Sequence, residues 1–169
     1  WGVMRTHAFH LLPRWGGDYD IIELEARKAM ARTDETAGAA AYAAFYLGVL
    51  NCDNGAITTV EPALFEQGLY DMIEHGENDP IEINYLLAYC FNIFCPQFLA
   101  IPDENEPEVS AKRAELAKIS NRLLRRTFNG HVPDAWPIPP EDVRQLVGLA
   151  HHDALLAGAT IHVSQRGIE

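Results

Sequence analysis

In the stretch TAGAAAYAAFYLGVL, residues 36–50, small residues alternate with Tyr42, Phe45, Tyr46 and Leu50. A surface helix carries one apolar stripe, whereas a helix of this composition can be approached closely on several sides. The stretch therefore predicts a central helix with others packed around it. Asn51, Asp53, Asn54 and Gly55 end it in a turn.

The flanking segments carry ordinary amphipathic patterns. Asp18 or Asp20 can cap a helix running to about Arg32, with Ile22, Ala26, Ala29 and Met30 on one face. A further helix is expected near Val60 to His75, with Phe65, Leu69, Met72 and Ile73 inward and Gly76 as its stop. In DPIEINYLLAYCFNIF, Asp79 is the cap and Pro80 the first helical residue, and Pro96 closes the segment. Asn105 and Glu108 resemble a capping box for a helix to about Phe128, with Val109, Leu116, Ile119 and Leu123 inward and Arg125 and Arg126 at the negative end of its dipole. After the connector VPDAWPIPP, a last helix spans Glu141 to about Leu156, and TIHVSQRG reads as a short strand or a docked tail. The fold class is all-α, about six helices packed as antiparallel helical hairpins.

The chain of 169 residues is read as one domain. It starts at Trp1, and WGVMRTHAFHLL sets Val3, His7, His10 and Leu11 along one stripe. This reads as the end of a helix that begins upstream, so a C-terminal part of a longer or processed chain is expected. No apolar run reaches membrane-spanning length. Cys52, Cys90 and Cys95 make no secreted disulfide framework, and buried free thiols in a reducing, cytoplasmic setting are expected.

The stretch YAAFYLGVL resembles the first helix of tetratricopeptide-like repeats in its Leu47–Gly48 pair, although Ala44 stands where a Trp is usual and Asn51 where a Tyr is usual. No second copy lies at a period near 34 residues. The stretch HLLPRWGGDYD resembles a motif of a bacterial family of uncharacterised, helical, tetratricopeptide-like proteins, carried by Pro13, Arg14, Trp15, Gly16 and Gly17. The later DPIEINYLLAY fits the same pattern, and the resemblance covers about half of the chain. It implies a helical fold, supplies no catalytic residues and loosely associates the chain with toxin systems.

Two adjacent glycines can form an anion-binding nest, but Asp18 and Asp20 already put negative charge at that helix start. The loop is read instead as a structural turn in which Pro13 ends a helix, Gly16 and Gly17 take unusual backbone angles and Trp15 packs across the joint. His151, His152, Asp153 and His162 supply an alternative, a metal-dependent hydrolase. Adjacent side chains on a helix diverge by about 100°, and the metal-binding spacings His-x3-His and His-Glu-x-x-His are missing, so no metal or cofactor is expected. Neither a nucleophile elbow, a P-loop nor a C-x-x-C pair occurs, and a non-catalytic chain is the expectation.

Charge is segregated along the chain. From Thr33 to Ala111 there is no Lys or Arg, while fourteen of the 24 acidic residues fall there; the remaining residues carry all 13 basic residues. Asp71, Glu74, Glu77, Asp79 and Glu82 surround one helix-to-helix turn, and Asp103, Glu104, Glu106 and Glu108 lie on a second loop. Such a surface repels nucleic acid and attracts a basic protein. The expected function is an interaction module, in its sharper form an immunity or antitoxin protein that caps the basic site of a toxin such as a nuclease. A peptide-binding adaptor is the other interaction reading.

Overall fold

The computed structural model describes residues 2–94, 107–136, 138–156, 163–164 and 167–168, with side chains over 6–94, 107–136 and 138–151. The protein is all-α, and seven α-helices lie among the described residues. The helix expected to be central, α3 (Ala40–Leu50), buries all eleven of its residues. Around it pack α1 (Gly2–His10), α2 (Tyr19–Ala37) and α4 (Pro62–His75). Gly68 lets α4 come close to α3, since a Cβ there would stand 2.8 Å from the Ala43 Cβ. Small residues on both helices let the backbones meet.

Polar atoms on α3 are satisfied across the interface. The Tyr42 and Tyr46 hydroxyls both donate to Glu23 Oε2 of α2, at 2.8 and 2.6 Å. Tyr42 Oη also accepts from the Glu61 N–H at 2.9 Å, and Tyr46 Oη lies 3.1 Å from Thr59 Oγ1. Burial, foremost, pushes both phenols above the usual tyrosine range. Two aromatic residues thus tie α2 and the segment before α4 to the centre.

One helix boundary and one inward face differ from expectation. α2 runs to Ala37 rather than to about Arg32, because Thr33 and Thr36 bond back to carbonyls of their own helix and the first break is Gly38, at φ 51°. The inward residues are Ala8 of α1 and Leu12 just beyond it, while His10 is exposed and Leu11 only half-buried. The small Ala8 side chain admits α3, and the His10 ring keeps its hydration.

The Pro-Arg-Trp-Gly-Gly turn is structural in its contacts. Pro13–Trp15 form a 3-10 turn, and the Arg14 guanidinium donates to the Cys52 carbonyl at 2.6 Å, beyond the end of α3. Gly16 has φ 85°, and the Leu11 carbonyl leaves no room for a Cβ at Gly17. Trp15 is 60% exposed, with the Phe9 ring 6.0 Å away, while Arg14 makes the hydrogen bond across the joint. Cys52 is exposed in this turn, against the expectation of buried thiols; Cys90 is buried, and Cys95 lies outside the described residues.

The second half is built from α5 (Pro80–Phe94), α6 (Pro107–Thr127) and α7 (Pro140–Leu156). Arg122 of α6 makes a bidentate pair with Glu66 of α4, at 2.8 and 2.6 Å. Asn84 of α5 is fully buried and holds the connector: its amide donates to the Pro80 and Gly130 carbonyls, and its Oδ1 accepts from the Val132 N–H and the Trp136 indole. Trp136 then packs on Phe91 and Phe128. The main contacts between α-helices join helices one or two apart in chain order, and α6 also packs on the 3-10 helix Asn54–Thr59 that lies between α3 and α4. At the chain end, Val163–Ser164 and Gly167–Ile168 pair antiparallel.

Candidate functional site

The turn from α4 to α5 carries the expected acidic cluster. Gly76 ends α4, yet its φ is −80°; the left-handed angles fall on Glu77 and Asn78, at 56° and 57°. The turn is closed by backbone bonds from the Glu77 N–H to Glu74 and from the Asn78 N–H to Ile73, each 3.0 Å. A Cβ at Gly76 would meet the end of the exposed Glu82 side chain, which can swing aside. Asp79 caps α5 as expected, its Oδ1 accepting from the Ile81 N–H at 3.0 Å.

Asp71 is turned to a structural task. Its Oδ2 accepts from the Ala39 N–H at 2.7 Å, at the start of α3, and its Oδ1 accepts from Gln67 at 2.7 Å. A carboxylate from α4 thus satisfies a free amide at the positive end of the central helix. Glu74 and Glu77 are exposed, and neither side chain forms a hydrogen bond or ion pair among the described residues.

Two concavities meet at His75. One, of about 440 Å³, brings Asp34 and Glu35 from the end of α2 beside Asp71 and Glu74. The other, of about 480 Å³, lies between α4 and α5 and has Asp79 and Glu82 among its lining residues. Six carboxylates from three helices therefore share one face, and among the described residues none of them forms a salt bridge with Lys or Arg. Asp34 and Glu35 were not part of the cluster expected from sequence. Their one signal there was membership of the segment without Lys or Arg, because proximity to Asp71 depends on how α2 and α4 both pack on α3.

The remaining sequence candidates divide. Asp103, Glu104 and Glu106 lie outside the described residues, as do the Asn105 cap, His162 and the side chains of His152 and Asp153. His151 is buried, and its Nδ1 sits 2.8 Å from the Val147 carbonyl of its own helix. No group of three or more His, Cys, Asp or Glu among the described residues is placed to hold a metal ion, and no helix there is long and apolar enough to cross a membrane.

A scan against protein-family models, a search of curated proteins and a search of solved structures each found no match.

Proposed function

We propose that the chain is a non-catalytic helical interaction module whose acidic face binds a basic protein. In its sharper form it is an immunity or antitoxin protein that covers the basic site of a toxin such as a nuclease. The observation that carries this reading is the shared face itself: Asp34, Glu35, Asp71 and Glu74 meet Asp79 and Glu82 at His75, with no Lys or Arg paired to them among the described residues. Uncompensated charge of one sign on a concave surface raises encounter rates with an oppositely charged partner and repels nucleic acid. A nuclease site, built to hold phosphates, is the kind of basic surface such a face complements.

The test is affinity capture from a lysate of the native host with two baits, the parent chain and a Glu35→Lys, Glu74→Lys, Glu77→Lys variant. Asp71 and Asp79 are left intact because both hold helix termini. The expected result is a basic protein retained by the parent at low salt, released at moderate salt and missed by the variant. A partner retained equally by both baits rejects the acidic face.

A further inference from the structure

The two concavities that meet at His75 differ in chemistry. The one beside α2 is lined largely by carboxylates, whereas the one between α4 and α5 has an apolar floor. Its buried lining residues include Met72, Ile73, Ile83 and Leu86, and its exposed ones Asp79, Glu82 and Tyr85. The cleft exists because the two helices leave their common turn toward different neighbours: α4 packs on α3 and α6, and α5 on α6 and the connector that follows it. Tyr85 is 51% exposed, and Ile81, one turn before it on α5, is 52% exposed, so apolar surface continues beyond the cleft.

A purely basic chain would find no use for this floor, and a purely apolar one would leave the carboxylates unanswered. The volume of about 480 Å³ lies within the range of clefts that enclose ligands, roughly 300–1,000 Å³. Carboxylates attract a lysine or arginine head, while the stem of such a side chain and its apolar neighbours cover apolar surface, an exposed aromatic ring included. We propose that the cleft between α4 and α5 seats an amphipathic basic segment of the partner, its apolar side chains against Met72, Ile83, Leu86 and the exposed Tyr85 ring, and a cation beside Asp79 and Glu82. The charge complement argues for this occupant, since among the described residues no lysine or arginine lines the cleft. The inference rests on the acidic-face reading and adds to it what the bound segment must look like.

The experiment uses two dye-labelled probes of equal length and charge, one a leucine–lysine peptide in helical repeat and the other a glycine–lysine peptide. Binding is followed by fluorescence anisotropy at low and moderate salt. The leucine probe is expected to bind at least about tenfold tighter, which is one step of about 1.4 kcal/mol, and to keep that advantage at moderate salt. Tyr85→Ala is expected to remove most of the advantage without changing the glycine probe. Trp15→Ala, at an exposed aromatic residue outside the cleft, is expected to change neither. Equal affinity for the two probes, or a leucine advantage that survives Tyr85→Ala, overturns the cleft while leaving the acidic face standing. An advantage lost equally with Trp15→Ala also overturns it, by moving the binding elsewhere. Failure of both probes to bind at low salt overturns the cleft together with the acidic face.

Discussion

Asn84 shows how much of this fold hangs on single polar side chains. Its amide meets four groups, one the Pro80 carbonyl of its own helix and three, the Gly130 carbonyl, the Val132 N–H and the Trp136 indole, in a segment about fifty positions on in the chain. Replacing it with Leu strands those two donors, and an unpaired buried group costs about 1–3 kcal/mol. A loss of about 2–4 kcal/mol is therefore expected for Asn84→Leu, read as a lower urea midpoint at unchanged slope. Glu77 is the opposite case. It holds φ 56°, a conformation that costs a non-glycine residue roughly 1–2 kcal/mol. Glu77→Gly is expected to raise stability by about 1 kcal/mol, visible as a higher melting temperature. Neither residue stood out in the sequence as it does in the structure. Asn84 looked like one polar residue in an apolar helix, and Gly76 looked like the natural bearer of the positive φ that Glu77 and Asn78 carry instead.

At the scale of elements, most helices were legible because their punctuation is local. Asp79 with Pro80, and the residues around Gly76, mark starts and stops within a single turn of chain. The central place of α3 was legible too, since an all-round apolar helix has nowhere else to go. What the periodicity could not show was which elements clasp each other. Glu66 and Arg122 are an example: they are 56 positions apart and join α4 to α6. The hydrogen bonds from Arg122, foremost, hold the Glu66 carboxyl below its ordinary value of 4.5, with burial opposing the shift. A carboxyl whose pKa is lowered by folding contributes stability that is present above 4.5 and is lost as pH falls through the lowered value. Glu66→Gln removes that contribution. The stability gap between parent and variant is thus expected to be constant near neutrality and to close below about pH 4.5, in urea titrations at stepped pH. A gap that persists unchanged into acid would show that the pair does not couple to folding.

For the whole molecule, the sequence announced an acidic middle and a basic remainder, and the fold turns that linear statement into a surface. Asp34 and Glu35 come beside Asp71 and Glu74 only because α2 and α4 both pack on α3. The same packing gives Asp71 a structural task beside its place in the concavity, since it holds the start of α3. Charge along a chain is legible; the sharing of a face is a tertiary fact and was not. The central claim is that one concave acidic face, centred on His75, is where cations collect. It is tested most directly by titrating the isotopically labelled protein with a glycine–lysine peptide and following backbone amide shifts by NMR. The account predicts shifts concentrated at Asp34, Glu35, Glu74, His75 and Glu82, fading with added salt. Shifts spread evenly over the acidic residues, with Asp18, Asp20, Glu141 and Asp142 moving as much as Glu74, would contradict it.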